Sequence, residues 1–463
     1  MIARFAGAVL AGAAILASGA AAAQDRPSFK RLRYDEDWST LCEPAKRTEP
    51  LDAIKCMKVI ESGESWLSLG GELRERYEYT HNPTWGNDPQ DKHGVWLQRY
   101  VLHADLHVTP YFRGFLQIYS ALENGRAGDP SALDENELDV QQAFIDLRVL
   151  FGNDAALTLR PGRQELRYGS GRLIDVREGP NVRRKFDGAR AILAAGGWQV
   201  DGLAAQPTVL QTGVFDDRID DRQQLWGVYA TGRPFELEQV LEFYYLGFRD
   251  ESANYDQGRA DEHRHSLGAR LAGAAGGWDW DLEALYQLGS FGSGGIRAWT
   301  TASTVGYRFA DAFLQPRVGL SANIASGDRD PNDADLETFN PLFPRGSYFS
   351  ELALLGPRNF YDVHPSLTLE LTNDMSLVTD WNFFWRQSTK DGVYNPGGQL
   401  LRSGAGSSAR FVGHSPSIAL EWRATQRLTF TGIYSHFFPG PFIEDTGPSE
   451  DIDFIELTLK VQF

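Results

Sequence analysis

The last twelve residues, IDFIELTLKVQF (452–463), carry the pattern that decides the fold. Apolar side chains stand at every second position of this stretch, at Ile455, Leu457, Leu459, Val461 and Phe463. Polar side chains stand between them, at Glu456, Thr458, Lys460 and Gln462. Because successive side chains of a strand point to opposite faces, this period of two predicts a strand with one apolar face and one polar face.

The same period recurs from residue 66 onward, and it predicts eighteen strands. They cover residues 66–80, 94–109, 111–123, 138–151, 155–164, 186–196, 197–209, 222–232, 237–249, 263–274, 277–290, 297–310, 312–326, 364–374, 376–388, 415–424, 426–438 and 452–463. Most of these segments are long enough to cross a membrane, which takes about nine to eleven residues per strand.

Short turns alternate with longer loops between these strands. The predicted turns are Thr109–Pro110, Gly152–Asn153–Asp154, Gly196–Gly197, Arg233–Pro234, Ala275–Gly276, Ala310–Asp311, Asn373–Asp374 and Ala424–Thr425. Such alternation is typical of outer-membrane barrels, which have short periplasmic turns and long extracellular loops. A soluble β-sandwich also has many strands, but it has no reason to alternate its loop lengths. We therefore predict an all-β fold: a transmembrane antiparallel up-and-down β-barrel of about 18 strands, over residues 66–463.

Two features precede the barrel. Arg4, an apolar run and Ala21–Ala22–Ala23 predict a secretory signal peptide over residues 1–23. Residues 24–65 then form a predicted periplasmic N-terminal segment. Its cysteines, Cys42 and Cys56, leave the reducing cytosol, so we expect them to form a disulfide.

Composition and motifs exclude several classes of function. No window approaches eighteen consecutive apolar residues, so a helical membrane protein is excluded. The net charge of −17 makes nucleic acid an improbable partner. No Gly-rich phosphate loop ending in Gly-Lys is present, and no nucleophile stands with a base in a recognisable pattern. We predict a passive channel that is not an enzyme and has no cofactor.

Two sets of residues have some of the features of a metal site. His263 and His265 share one face of a strand, but the spacing supplies no third ligand, which favours a solvated pair. The acidic stretch from Asp328 to Asp335 lacks the Gly and Glu of an EF-hand, so we read it as an acidic outer loop. We assign no metal site, although weak divalent binding in this loop stays open.

An arginine-rich stretch, residues 160–190, stands out from the acidic chain. Its nine basic residues are Arg160, Arg163, Arg167, Arg172, Arg177, Arg183, Arg184, Lys185 and Arg190, against the acidic Glu165, Asp175, Glu178 and Asp187. One interpretation is a solvated outer loop. The other is a loop that folds into the lumen, where aligned guanidinium groups would concentrate anions.

On the second interpretation this stretch supplies most of the solute contacts. The predicted contacts are Arg163, Arg167, Arg172, Arg183, Arg184 and Lys185, with Arg74, Arg99, Arg148 and Arg386 as lumen-facing additions from the strands. An eighteen-stranded barrel is wide enough for an aqueous channel. The residues before the first strand are too few for a large plug domain, so we expect lumen side chains and infolded loops to constrict the pore.

Several motifs together resemble the alginate export family of outer-membrane proteins. They are RYDEDWS (33–39), LGGELRERYEY (69–79), QQAFIDLR (141–148), GRQELRYGSGRL (162–173), REGPNVRRKFDG (177–188), SGDRDP (326–331), FNPLFPRG (339–346) and HPSLTL (364–369). The resemblance spans nearly the whole mature chain. It implies a monomeric eighteen-stranded barrel with an arginine-rich lumen that exports the uronate polymer alginate. It also implies that the barrel assembly machinery recognises the terminal strand through Phe463.

The prediction is thus a channel in the outer membrane of a Gram-negative bacterium, in contact with outer-membrane lipid. Its predicted solute is an anionic polysaccharide, alginate-like. One alternative is a general or small-anion porin on the same scaffold. A second alternative, an outer-membrane enzyme, would require a nucleophile and a base that meet inside the barrel.

Overall fold

The computed structural model describes residues 26–60, 65–152, 154–233 and 239–463. The predicted signal peptide lies outside the described residues. Eighteen long strands, which we number β1 to β18, form one antiparallel sheet. They are β1 (Trp66–His81), β2 (Val95–Thr109), β3 (Phe112–Asn124), β4 (Asn136–Phe151), β5 (Ala155–Gln164), β6 (Phe186–Ala195), β7 (Trp198–Val209), β8 (Gln223–Gly232), β9 (Gln239–Tyr255), β10 (Gly258–Ala275), β11 (Trp278–Phe291), β12 (Gly294–Arg308), β13 (Arg317–Ala325), β14 (Phe360–Thr372), β15 (Met375–Trp385), β16 (Phe411–Arg423), β17 (Leu428–Pro439) and β18 (Ile452–Gln462).

The sheet closes into a barrel where β1 pairs with β18. Their register runs from Glu72 opposite Gln462 to His81 opposite Asp453. Beyond the end of β18, Phe463 continues the seam, because its N–H donates to the carbonyl of Gly71 at 3.1 Å and its carbonyl accepts from the Gly71 N–H at 2.8 Å. Each of the eighteen long strands in the described part of the chain therefore has a neighbour on both sides, which is what a membrane interior demands.

The remaining elements are short. The 3₁₀ helices are Arg33–Asp35, Ser39–Cys42, Pro44–Lys46, Pro50–Ile54 and Gly404–Gly406, and the helical turns are Pro83–Gly86 and Pro441–Thr446. The short strands are Met57–Lys58, Arg218–Ile219, Val393–Tyr394 and Leu400–Arg402. Within the part of the chain that the structure describes, no helix is both long and apolar enough to span a membrane.

The predicted strand count and order are confirmed, and most boundaries agree within a few residues. The largest difference is the hairpin of β9 and β10, which extends to Tyr255 and Gly258 instead of ending near residues 249 and 263. A second difference is β13, which begins at Arg317 and not at residue 312. Leu314 and Gln315 have positive φ angles of 63° and 41°, so the backbone turns here before the strand can begin.

The barrel wall has an apolar outer face and a polar inner face. On β18, Leu457 is 57% exposed whereas the neighbouring Glu456 is 2% exposed and faces the lumen. The inward side chains include many charged groups that are shielded from solvent, among them Arg74 and Arg99. The two ends also differ: the short connections lie at one end, called here the turn end, and the long connections at the other, the loop end.

The lumen is filled partly by chain that belongs to no strand. Apolar side chains from the connections, including Ile174, Phe343 and Phe349, form a buried cluster with wall residues. The N-terminal segment also contributes, since Tyr34 packs against Phe115 and Phe144 of the wall. We predicted that lumen side chains and infolded loops narrow the barrel. The N-terminal segment also occupies part of the lumen, although it is too short to be a plug domain.

Cys42 and Cys56 lie in this N-terminal segment. Their Cα atoms are 4.9 Å apart and the structure joins them as a disulfide. Cys56, Trp38 and Leu41 form a small buried cluster beside the first strand. The linkage thus closes a short loop at the base of the segment.

Candidate pore constriction

Two loops meet inside the barrel, and together they are called here the constriction loops. The first is residues 165–185 between β5 and β6, and the second is residues 326–359 between β13 and β14. The Asp175 N–H donates to the Phe343 carbonyl at 2.9 Å, and the Phe343 N–H donates to the Leu173 carbonyl at 2.8 Å. A third bond, from the Arg345 N–H to the Gly171 carbonyl, measures 2.9 Å. The loops therefore form a small ladder of their own across the lumen.

Three cavities surround this ladder. The loop-end cavity has a volume of about 800 Å³ and is bounded by Arg177, Arg184 and Arg358 among others. The turn-end cavity, of about 710 Å³, includes Arg148, Arg160 and Arg167 in its lining. The third, the wall cavity, has about 480 Å³ and lies between Arg172, Arg345 and the inner faces of β12 to β17.

The arginine-rich stretch therefore lies inside the barrel rather than on its surface. At the turn end, the stretch contacts the N-terminal segment, because the Tyr34 hydroxyl donates to the Glu165 carbonyl at 2.9 Å. On the opposite wall, Arg172 reaches β11 and donates to Asp281 at 2.8 Å and to Glu283 at 2.9 Å. Residues of this stretch line all three cavities.

Most of the predicted contact residues in the stretch have carboxylate partners. Arg163 pairs with Asp187 at 3.0 Å, Arg167 with Asp175 at 3.0 Å, Arg183 with Glu165 at 3.1 Å, and Lys185 with Asp217 at 2.6 Å. Arg172 has the two partners on β11. Their charges are largely compensated, so these side chains hold the loop in place. Their role as solute contacts stays a prediction.

The four predicted residues from the barrel wall have different environments. Arg74 donates to the carbonyls of Glu178 and Gly179 at 2.9 and 3.3 Å, and Arg99 pairs with Glu72 at 2.6 Å and also contacts Glu178. Both side chains are thus anchors for the first constriction loop.

Arg148 lies at the turn end, exposed, in the lining of the cavity there. Arg386 differs from the prediction of a lumen-facing solute contact. It lies past the end of β15, is 0% exposed and donates to loop carbonyls such as those of Asp391 and Ser407 at 3.0 and 2.7 Å.

Four half-buried guanidinium groups border the cavities without a carboxylate partner among the described residues, and we call them the uncompensated arginines. They are Arg177, Arg184, Arg345 and Arg358. Arg184 donates to the carbonyl of Pro344 at 3.1 Å, and Arg358 donates to Asn340 Oδ1 at 3.0 Å. The Nε atoms of Arg177, Arg345 and Arg358 are enclosed but make no hydrogen bond.

The environments of the two groups of arginines act on their pKa in opposite directions. Burial lowers the pKa of Arg177 and Arg345, and burial together with the charge of Arg177 lowers that of Arg184 well below its ordinary value. For Arg183, burial acts in the same direction, but Glu165 and Glu178 outweigh it and raise the pKa. A cation with no partner in a confined site is stabilised when an anion binds next to it.

Arg345 and Arg358 were not predicted as site residues. They lie on the second constriction loop, which was read only through its acidic start at Asp328. The motif FNPLFPRG contains Arg345, but a single arginine in a loop gives no sign that it turns inward. The partner that brings it there, Gly171, is far away in the sequence.

The suspected metal sites gain little from the structure. His263 and His265 are both on β10, where Asp261 contacts His263 at 3.2 Å and Tyr245 contacts His265 at 2.9 Å. Among the described residues one acidic cluster has the spacing of a metal site: Asp139, Asp216 and Asp217. The Lys185 ammonium lies 3.7 Å from Asp139 and 2.6 Å from Asp217. This side chain therefore supplies the positive charge that a metal ion would otherwise bring to the cluster.

The fold is similar to that of known outer-membrane proteins. Solved structures of Pseudomonas aeruginosa outer-membrane porins are similar: OccK11 (OpdR) has a TM-score of 0.56 at 13% identity, covering 86% of this chain and 96% of that one. OccD3 (OpdP) has a TM-score of 0.58 at 12% identity, with 89% and 93% covered. OccK2 (OpdF), in complex with glucuronate, has a TM-score of 0.56 at 11% identity, with 86% and 98% covered.

At the level of sequence, no curated protein shows a significant match. A family model does match, however, and it extends over residues 65–454. These residues include strands β1 to β17, the first three residues of β18 and both constriction loops. The protein is therefore an outer-membrane β-barrel that belongs to the alginate export family.

Proposed function

We propose that this protein is a passive outer-membrane channel for carboxylate-bearing solutes, and that its solute is an anionic polysaccharide of the alginate type. The observation that carries the proposal is the set of uncompensated arginines at the constriction loops. Arg177, Arg184 and Arg358 border one cavity and Arg345 borders the next, so a carboxylate that leaves one site meets another. The short turns would then face the periplasm and the long loops the exterior.

Electrostatics supports an anion in this position. One charge at about 6 Å attracts a monovalent anion by roughly 3 kcal/mol when the effective dielectric constant is about 20. Arginine suits a carboxylate especially well because its planar fork can donate two parallel hydrogen bonds. A polymer with one carboxylate on each sugar would engage several of these groups at once, and multivalent contact would hold it in the pore while single contacts exchange.

A second candidate solute is a small organic acid, such as a single uronate. The three cavities favour it, because the constriction loops separate them and each has the size of a small-molecule site. The structure of OccK2 in complex with glucuronate shows that a barrel of similar fold binds such a molecule.

Planar-bilayer recordings test the proposal. We expect the open channel to prefer anions to cations at low salt, and we expect uronate oligomers to interrupt the current at concentrations where neutral dextran of equal length does not. A preference for cations, or equal block by the two polymers, would refute the proposal.

The voltage dependence of the block separates the two candidates. For a solute that passes through, higher voltage shortens each interruption, because the field drives the solute out at the far side. For a solute that only enters, higher voltage prolongs it. If the polymer is the solute, we expect higher voltage to shorten the interruptions caused by uronate oligomers. If small organic acids are the solute, we expect higher voltage to shorten only the interruptions caused by the monomer.

A further inference from the structure

Residues 31–36 of the N-terminal segment, called here the arm, extend into the turn end of the lumen. Tyr34 is the deepest contact: it is 5% exposed, and its ring packs edge-on against Phe144 with centroids 5.4 Å apart. The guanidinium carbon of Arg160 lies 4.4 Å from the centre of the same ring. The arm is therefore packed against the inner wall of the barrel.

The arm also contacts the first constriction loop. The Tyr34 hydroxyl donates to the Glu165 carbonyl at 2.9 Å, and Arg183 donates to the Arg31 carbonyl at 2.8 Å. A long ion pair of 3.7 Å joins Arg31 to Asp175. Three contacts thus couple the arm to the loop that carries the arginine-rich stretch.

Asp35 carries the charge that an anionic solute would bring to this place. It lines the turn-end cavity together with Arg113, Arg160 and Arg190. No cation among the described residues lies within ion-pair distance of the Asp35 carboxylate, which is exposed to the cavity. The arm therefore presents an aromatic ring and a neighbouring carboxylate to an arginine-lined cavity.

We propose that the arm is a displaceable plug that competes with the anionic solute for the turn-end cavity. Its base is fixed, because the disulfide of Cys42 and Cys56 closes the rest of the segment on itself and the ion pair of Glu49 with Arg427 holds that part against the barrel. Arg33 also anchors the arm, because it donates to the carbonyls of Gly71 at 3.1 Å and Phe463 at 3.3 Å. The contacts that a solute with a ring and a carboxylate can replace are those of the Tyr34 ring with Arg160 and of Asp35 with the arginines of the cavity. The chemistry of that solute rests on the proposed function, whereas the obstruction by the arm does not.

Single-channel conductance of the full mature chain in KCl tests the plug without any solute. In Tyr34→Ala the contacts with Phe144, Arg160 and Glu165 are lost, and we expect the docking equilibrium to shift by at least about tenfold, or about 1.4 kcal/mol. The channel should then spend correspondingly more time in its highest-conductance state. The control is Asp37→Ala, an exposed change in the same segment that removes only a bond from the Ser39 N–H.

A second variant locks the arm in place, so that a failure of Tyr34→Ala to assemble cannot hide the answer. Replacement of Tyr34 by the photoreactive p-benzoylphenylalanine should cross-link the arm to the wall after irradiation and remove the highest-conductance state. If the cross-linked channel still reaches that state, or if Tyr34→Ala conducts as the parent does, the arm does not obstruct the pore.

Competition is measured with sodium glucuronate on the turn-end side. We expect block of Tyr34→Ala at a glucuronate concentration at least about tenfold below that for the parent, by the same shift in docking. An equal blocking concentration would overturn the competition. The proposed function would fail differently, through loss of anion preference in the reversal potential, which the arm does not set.

Discussion

Removing two of the uncompensated arginines should lower the anion preference of the channel. Arg184 and Arg358 border the same cavity, and each donates to a neutral oxygen, at 3.1 Å to Pro344 and at 3.0 Å to Asn340. Glutamine can still donate to these oxygens. The double variant Arg184→Gln, Arg358→Gln therefore removes two charges while it keeps hydrogen-bond donors in the constriction.

The magnitude follows from Coulomb's law. At about 6 Å, one charge attracts an anion by roughly 0.7 kcal/mol in water and roughly 3 kcal/mol at an effective dielectric constant of about 20. Two charges at the weaker limit give roughly 1.4 kcal/mol, so the ratio of anion to cation permeability should fall by at least about tenfold at low salt. The difference should shrink in 1 M salt, where the Debye length falls from about 10 Å at 0.1 M to about 3 Å.

The assay is the reversal potential across a salt gradient in planar bilayers, for a barrel whose folding is verified by heat-modifiable mobility. A matched control, Arg297→Gln with Arg329→Gln, removes two exposed charges whose partners are Asp335 and Glu337. We expect it to change the ratio much less. An unchanged ratio in the Arg184→Gln, Arg358→Gln variant at low salt would show that the constriction does not select by charge.

Three further predictions concern other parts of the chain. Thiol labelling of the unreduced protein should detect neither Cys42 nor Cys56, and labelling of both would contradict the disulfide. Deletion of Phe463 removes two hydrogen bonds to Gly71 at the seam, so the truncated barrel should accumulate poorly in the outer membrane; normal, protease-resistant accumulation would count against this. Burial and the nearby Asp391 raise the pKa of Asp328 to about 7, above the ordinary value near 4 that the carboxyl has when it is unfolded. Packing of the second constriction loop should therefore weaken as pH rises from about 4 to about 7 and stay weak above that. Asp328→Asn should make this loop more resistant to proteolysis at pH 8 and change little at pH 4, and equal effects at both would refute the assignment.

The positions of the charged partners explain why the arginine-rich stretch was only partly understood from sequence. The sequence was compatible with two positions of this stretch, a solvated outer loop and a loop inside the lumen. The number of charged residues alone could not distinguish them. Counting also could not reveal that Arg163 and Arg183 are neutralised while Arg184 is not, because the partners of Arg163 stand on two strands and those of Arg183 stand elsewhere on the folded loop. Changing Arg163, Arg167, Arg183 and Arg184 to Glu would leave buried acidic groups such as Glu165 without a partner, so we expect that variant to destabilise the loop.

The sequence by itself determined the barrel. A strand between lipid and a polar lumen must alternate apolar and polar residues, and this requirement is local, so eighteen strands and their connections could be read along the chain. Only the tertiary structure decided what fills the barrel. The contacts of Tyr34 with Glu165, and of Arg345 with Gly171, join residues that are distant in the sequence, and no local pattern encodes them. Which cations stay uncompensated depends on those contacts, and so does the shape of the path that a solute would follow.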